Sequence, residues 1–199
     1  MSFRIEKKII LNQKNTFKFK NWLKQNNIKI IYSDRQISSI YFDNKINQSF
    51  YESEEGVVPR KKIRLRYYGN NKDKILLEKK ISSAEGRFKE SKPFHGNLKN
   101  LRIFDKNYGI CYPVIYIQYL RSYYIFKGLR ITYDRNIKYK KIYSNFLVSN
   151  VFYEEKNNII EIKNNNLNNI NFIYQNMPFE YSRFSKYCEA KLKLNSLKK

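Results

Sequence analysis

The chain has little of the chemistry that common catalytic triads and zinc centres use. It contains one histidine, His95, and two cysteines, Cys111 and Cys188, which lie far apart and lack metal-ligand spacing. A Ser-His-Asp triad or a histidine-based zinc site therefore has little support. A disulfide is also disfavoured, so a reduced, cytoplasmic location is the expectation.

Glycine, proline and long apolar runs are scarce as well. Six glycines and four prolines in 199 residues argue against a low-complexity or collagen-like chain. No apolar run approaches the roughly 20 residues of a membrane span, and residues 1–6 lack the apolar core of a signal peptide. Since 42% of residues are hydrophobic and 17% aromatic, the chain can bury a real core. We predict one domain over residues 1–199.

Positive charge is what the chain has in excess. Lysine and arginine number 40 against 17 acidic residues, which gives a formal net charge of +23. Such an imbalance predicts an anionic partner, and nucleic acid, an acidic membrane and phosphate chains all qualify.

The charge is arranged in strands. In the stretch 61–68, the alternation of a β-strand places Lys62, Arg64 and Arg66 on one face and Ile63 and Leu65 on the other. The same layout recurs at residues 4–9, 77–80, 119–121, 129–132 and 160–163. The pattern predicts an α+β fold. Its main part is an antiparallel closed β-barrel of about eight strands with a polyanion-binding lumen. Peripheral helices and a C-terminal closing helix complete it.

Helices are predicted at four places. One runs from about Lys14 to Gln25 with Asn12 as its cap, and another covers 47–54. Residues 84–108 are the least regular part of the chain, with a short helix at about 97–104. The closing helix is expected over 178–194, with Tyr181, Phe184 and Cys188 at helical spacing.

Seven short motifs, in order along the chain, resemble one known family. They are Ser38–Asp43, Pro59–Gly69, Leu77–Lys80, Tyr119–Arg121, Leu129–Asp134, Glu161–Lys163 and Phe184–Tyr187. Together they resemble the VTC domain, the polyphosphate polymerase domain of the vacuolar transporter chaperone complex and its bacterial relatives. That family lies within the CYTH-like triphosphate tunnel metalloenzymes. The resemblance implies a tunnel that binds ATP, passes its γ-phosphoryl group to a growing polyphosphate chain, and uses Mn²⁺ or Mg²⁺.

The chemistry of phosphate binding agrees with this resemblance. Arginine offers a planar fork to two phosphate oxygens, whereas lysine supplies a compact charge. The expected catalytic residues are Arg64, Arg66, Lys80, Arg121 and Lys186. The expected substrate-binding residues are these five together with Lys8, Arg130, Lys163 and Arg183. On a closing helix Arg183 and Lys186, three apart, would share a face. Crowded cations should also lower the pKa of lysines in the lumen.

Three carboxylates accompany these cations. The resemblance assigns the metal to Glu161, and hard cations do take carboxylate and phosphate oxygens together. Glu6 and Glu78 are interpreted as supporting acids that orient cations or assist the metal. The first strand reads Arg4-x-Glu6-x-Lys8 and not the Glu-x-Glu-x-Lys of the wider superfamily. This departure disfavours a two-metal triphosphatase.

Two other functions stay open at this point. A hydrolase of triphosphate or polyphosphate would share the tunnel and use water as acceptor. A non-catalytic module could bind polyanions such as nucleic acid, with bases stacked on tyrosine and phenylalanine. Because no RNA-binding signature is present, the expected partners are ATP and inorganic polyphosphate or triphosphate, with no specific nucleic acid. A membrane or regulatory partner is left open.

Overall fold

The computed structural model describes residues 5–69, 71–98, 101–143, 147–164, 177 and 179–196. Its strands are β1 Ile5–Leu11, β2 Ile30–Asp43, β3 Arg60–Tyr68, β4 Asn71–Ser82, β5 Arg87–Phe94, β6 Ile103–Asp105, β7 Gly109–Phe126, β8 Leu129–Ile142, β9 Val148–Glu154 and β10 Asn158–Asn164. Its helices are α1 Gln13–Gln25, α2 Gln48–Glu55 and α3 Lys186–Ser196. No helix in this described part of the chain is long and apolar enough to cross a membrane.

The strands form one antiparallel sheet whose two ends meet. Its order is β1-β10-β8-β7-β2-β3-β4-β5, with β6 added to β7 and β9 to β8. Glu6 on β1 contacts Lys80 on β4 and Arg87 on β5, so side chains join the two ends of this order. The predicted antiparallel, barrel-like sheet of about eight strands with a C-terminal helix is confirmed. Among the described strands, side chains and not strand pairing join β1 to β4 and β5, and we call this junction the seam. The prediction of one domain over 1–199 stays a prediction.

Helix α1 covers the outside of the curled sheet. Asn12 Oδ1 accepts a hydrogen bond of 2.8 Å from Asn15 N, which is the predicted N-cap. Phe19, Trp22 and Leu23 lie at helical spacing and bury the inner face of α1. They pack in one apolar cluster with β1, β8 and β10, to which β10 contributes Ile160 and Ile162. This face is the outer surface of those strands, so their alternate side chains are left to point inward.

Helix α3 lies against the inner face of the same sheet. Tyr187, Cys188, Ala190 and Leu194 pack in a second cluster with inward residues of β2, β7, β8 and β10, among them Ile117. The sheet interior therefore has an apolar part filled by α3 and, beyond the N-terminus of the helix, a polar part. A third cluster, built around Ile63 and Leu65, covers the outer face of β3.

Two predictions about helices are wrong. Helix α3 begins at Lys186, not at 178, and described residues 179–185 are not helical. Ser185 is the residue before the helix, and its carbonyl accepts a helical hydrogen bond of 2.9 Å from Glu189 N. Arg183 therefore does not share a helical face with Lys186.

The region 84–108 contains strands β5 and β6 where a helix at 97–104 was predicted. Residues 103 and 104 belong to β6, and residues 99 and 100 lie outside the described part of the chain. Strand β5 forms one end of the sheet order, and most of its side chains are exposed on both faces. Such an edge strand carries weak hydrophobic alternation, which explains why the sequence pattern missed it.

Candidate functional site

Strand alternation brings most of the predicted basic residues to one interior surface, here called the lumen. Lys62, Arg64 and Arg66 project from β3. In the β3–β4 pairing, Arg64 lies opposite Glu78 and Lys62 lies opposite Lys80. Because partners in an antiparallel pair share a face, both strands present charge to the lumen and apolar residues to the third cluster.

One wall of the lumen is organised around Glu78, which is 1% exposed. Arg64 donates to Glu78 Oε2 from Nε at 2.8 Å and to the hydroxyl of Tyr41 at 2.8 Å. Lys89 Nζ lies 2.5 Å from Glu78 Oε1. Burial pushes the pKa of Glu78 up, but Arg64, Arg66 and Lys89 outweigh it and leave the pKa at about 2. Glu78 is therefore ionised and fixes the orientation of Arg64.

Arg66 is held less fully than Arg64. Its Nε lies 3.5 Å from Glu78 Oε2, and this buried nitrogen has no hydrogen-bond partner among the described residues. An unsatisfied buried donor is costly, and an arginine donor of this kind suits a phosphate oxygen. Arg66 therefore keeps hydrogen-bonding capacity for an anion.

The opposite wall is organised around Asp134, which is fully buried. Arg121 donates to Asp134 from Nε at 2.5 Å and from Nη2 at 2.7 Å. Lys186, at the first turn of α3, donates to the same carboxylate at 2.6 Å. Burial opposes the charge of Lys186, but Asp134 outweighs it and raises the pKa of this lysine. Lys186 is thus a permanent cation in the lumen.

Strands β1 and β10 close the polar part of the lumen. Lys163 Nζ lies 3.3 Å from Glu6 Oε1 and 3.5 Å from Glu161 Oε2. Glu6 is also paired with Lys80 across the seam. Lys8 donates to the carbonyl of Phe184 at 2.7 Å.

The predicted lowering of lysine pKa values is found at this seam. Burial is the main cause, and it lowers the pKa of Lys8 to about 7, with Lys80 and Lys186 adding repulsion. Burial also lowers the pKa of Lys80, against the attraction of Glu6 and Glu161. Desolvation therefore contributes more than the crowding of cations that the sequence suggested.

Glu6 and Glu161 are the pair of carboxylates that could meet a metal ion. They project from paired strands, and each has an oxygen within 3.5 Å of Lys163 Nζ. Among the described residues no cluster of three or more acidic, histidine or cysteine side chains exists. Mg²⁺ is commonly held by one or two carboxylates, with substrate phosphates and water completing its shell. The donor set therefore fits a hard cation that is bound together with phosphate.

Two predicted substrate-binding residues lie away from this centre. Arg130 is exposed at one end of the lumen, with its guanidinium 5.2 Å from the ring centroid of Tyr123. Arg183 is exposed and donates to the carbonyls of Ser53 and Glu54 at the end of α2. Arg183 therefore contacts the C-terminal turn of α2, where cations complement the helix dipole.

Three residues of this surface were not among the predicted site residues. Asp134 could have been found, since it alternates with Arg130 and Thr132 on one strand. Tyr41 also shares a face with predicted inward positions, but a buried tyrosine is normally read as core. The inward position of Lys89 could not be predicted, because strand β5 itself was not predicted.

The curled sheet and its polar lumen define the class of protein, and similar structures share this fold. A putative adenylate cyclase from Bacillus halodurans has a TM-score of 0.59 at 10% identity, covering 92% of this chain and 94% of that one. A putative adenylyl cyclase from Hippeastrum with a dominant triphosphatase activity has a TM-score of 0.53 at 16% identity, covering 96% of each chain. A putative adenylate cyclase from Vibrio parahaemolyticus has a TM-score of 0.54 at 15% identity, covering 95% of this chain and 97% of that one. The chain therefore shares the fold of these three structures.

The sequence itself gives the family within this class. The family model described as VTC domain matches residues 3–95 and 85–195. The chain therefore belongs to the VTC domain family. No curated protein matches the chain in sequence.

Proposed function

We propose that the protein is a metal-dependent phosphotransferase of the polyphosphate polymerase type. It would move the γ-phosphoryl group of ATP onto a growing polyphosphate chain inside the lumen. The observation that supports this most is the grouping of four cations on the inner face of the sheet. Arg64 and Arg66 meet Glu78, whereas Arg121 and Lys186 meet Asp134. Tyr119 joins the two groups, because its ring contacts Arg121 and Lys186 and its hydroxyl also acts on Arg64. A triphosphate carries several charges within a few ångströms, and such a cluster neutralises them together.

The reaction would be a direct transfer without a covalent enzyme intermediate. A terminal oxygen of the chain would attack the γ-phosphorus as the bond to the β–γ bridging oxygen breaks, and ADP would leave with the electron pair. This chemistry depends on alignment and on stabilising the developing charge. The one histidine, His95, is exposed after β5, and burial raises the pKa of the Cys188 thiol.

The lumen residues would divide the work by their geometry. Arg64 and Arg121 are fixed by buried carboxylates, so they would hold phosphate oxygens in constant positions. Arg66 would use its Nε, which makes no hydrogen bond to the described residues. Lys186 stands at the end of the polar lumen where α3 begins, so it would act on the phosphoryl group nearest that end. Lys8, Lys80 and Lys163 would add charge along the seam.

A bound Mn²⁺ or Mg²⁺ would neutralise phosphate oxygens and help orient them. Glu161 would hold the ion, with Glu6 beside it, because both carboxylates face the same part of the lumen. Glu78 would instead orient Arg64, from which it accepts a hydrogen bond of 2.8 Å.

The test of this function is a product analysis. Purified protein incubated with ATP and Mn²⁺ should yield ADP together with a long, acid-labile phosphate polymer. Free orthophosphate without polymer would identify a hydrolase. Absence of nucleotide turnover, combined with tight and salt-sensitive RNA binding, would identify a polyanion-binding module. Either result would overturn the proposal.

Variants would locate the activity. Arg66→Gln and Glu161→Gln should each lower turnover at least about 100-fold. The first removes a cation at the reacting phosphates, and the second removes the carboxylate that would hold the metal ion. Arg102→Ala, which removes an exposed arginine stacked near Tyr112, is the matched control and should keep full activity. Circular dichroism melting would establish that every variant is folded. If Arg66→Gln and Glu161→Gln retain full rates while folded, the reaction does not occur in this lumen.

A further inference from the structure

One end of the lumen carries aromatic rings that the phosphate chemistry does not use. We call it the aromatic mouth, and it is formed by Tyr32, Arg35, Tyr123 and Arg130. The Tyr32 side chain is 51% exposed. An exposed tyrosine ring does not neutralise phosphate, so its position at the end of the lumen needs another explanation.

Strand pairing brings these residues to the mouth. Arg35 lies opposite Arg121 in the β2–β7 pairing, and Tyr32 lies opposite Tyr123. A bulge between Tyr32 and Arg35 shifts the register, so both side chains point to the lumen side although they are three residues apart. Arg121 is one of the proposed phosphate-binding residues. Tyr123, the next residue of β7 on the same face, therefore lies directly beside them.

The rings and guanidinium groups of the mouth contact one another. The Arg35 guanidinium lies 4.8 Å from the ring centroid of Tyr32 and 5.7 Å from that of Tyr123. The two tyrosine rings are 5.9 Å apart and nearly perpendicular. Arg130 covers Tyr123 at 5.2 Å. Such surfaces of tyrosine and arginine stack well on nucleobases.

Arg35 is not held in place by a neighbouring acid, although one is available. The adjacent Asp34 bonds instead to Arg135 and to Ser122 Oγ, the latter at 2.5 Å. Among the described residues no salt bridge involves Arg35, and its guanidinium contacts the rings of Tyr32 and Tyr123. A planar cation without an acidic partner can stack on a nucleobase.

From this geometry we infer that the aromatic mouth binds the nucleobase of the nucleoside triphosphate whose phosphates enter the lumen. The inference rests on the proposed function, because it places the triphosphate at Arg64, Arg66 and Arg121. It adds that the protein distinguishes a nucleotide from inorganic tripolyphosphate. Recognition by stacking favours purines over pyrimidines, and it separates adenine from guanine weakly because no hydrogen-bond readout is involved.

The experiment compares two ligands that share phosphates and differ in the base. Affinities for the β,γ-imido analogue of ATP and for tripolyphosphate would be measured by calorimetry at fixed salt. Tyr32→Ala should weaken binding of the ATP analogue about five- to 150-fold, which corresponds to about 1–3 kcal/mol for one stacked base. It should change the affinity for tripolyphosphate less than two-fold. Tyr32→Phe should bind both ligands like the natural chain, since it keeps the ring.

The controls separate the two proposals. Tyr51→Ala removes a tyrosine of matched exposure, 53%, on helix α2 and should alter neither ligand. Arg66→Gln should weaken both ligands together. Equal losses for both ligands in Tyr32→Ala, or no loss, would overturn the base site. If Arg66→Gln changes neither affinity, the proposed phosphate site fails instead.

A second measurement checks the mode of recognition. The imido analogues of ATP and GTP should bind within about three-fold of each other, and that of UTP more weakly than both. Tyr32→Ala should remove most of this purine preference. A UTP analogue that binds as tightly as the ATP analogue would refute stacking at the aromatic mouth.

Discussion

Lys8 offers the most direct test of the electrostatics in the lumen. Burial lowers its pKa from its ordinary 10.5 to about 7. The folded chain therefore releases this proton between about pH 7 and 10.5, whereas the unfolded chain still holds it. Because the unfolded state binds more protons in that window, folding stability should rise with pH across it. Below pH 7 both states are protonated and the full cost of the buried charge remains.

The size of this effect follows from the pKa difference. At 1.36 kcal/mol per pKa unit, the difference between 10.5 and 7 corresponds to about 5 kcal/mol. Some solvent reaches Lys8, which is half-buried, and water screens part of that cost. We therefore expect about 2–3 kcal/mol of pH-dependent destabilisation that belongs to Lys8 alone.

The perturbation is Lys8→Met, which keeps an unbranched chain and removes the charge. The variant loses the hydrogen bond to the Phe184 carbonyl, about 1 kcal/mol at every pH. The gain from removing the charge is largest at pH 6 and absent near pH 10. The free energy of unfolding of the variant, minus that of the natural chain, should therefore fall by about 2–3 kcal/mol between these two pH values.

The assay is urea unfolding followed by circular dichroism, in buffers free of phosphate and sulfate. Those anions would bind the protonated lysine and hide the effect. Lys106→Met, at an exposed turn position, is the control and should show a difference that does not vary with pH. A stability difference for Lys8→Met that is equally flat from pH 6 to 10 would refute the argument that Lys8 is desolvated in the lumen.

Contacts at both walls of the lumen and at the end of α2 give three further predictions. Asp134→Asn leaves Arg121 and Lys186 without their shared counter-ion, so urea unfolding should show a loss of about 3–5 kcal/mol, and added tripolyphosphate should restore more stability than in the natural chain. If tripolyphosphate restores no more, the two cations do not face the ligand. Glu78→Gln should remove a stabilisation that is present above pH 4.5 and lost as pH falls towards 2; a variant whose acid unfolding matches the natural chain would exclude this role. Arg183→Ala should lower the melting temperature by a few degrees, since it loses hydrogen bonds at the end of α2, and it should leave the KM for ATP unchanged. A several-fold rise in the KM for ATP would instead indicate that Arg183 binds substrate.

The sequence determined which residues face inward on each strand. Alternation has a period of two residues and depends on local geometry alone, so the pattern of residue types is enough to place Arg64, Arg66 and Glu78 on one face. The cap at Asn12 and the apolar face of α1 are equally local. Helix and edge-strand assignments around 84–108 and 178–185 were less successful, because exposed or extended segments carry little periodic signal.

The tertiary structure alone decided which inward residues meet. Arg121 and Asp134 face each other within the β7–β8 hairpin, but Lys186 reaches Asp134 from a helix 52 residues further along the chain. That third contact depends on how far the sheet curls. Tyr32 points to the lumen side because of a bulge between Tyr32 and Arg35. The pattern of residue types around this position does not predict a bulge. A local repeat can fix the direction of a side chain, but only the register and curvature of the whole sheet can fix its neighbours.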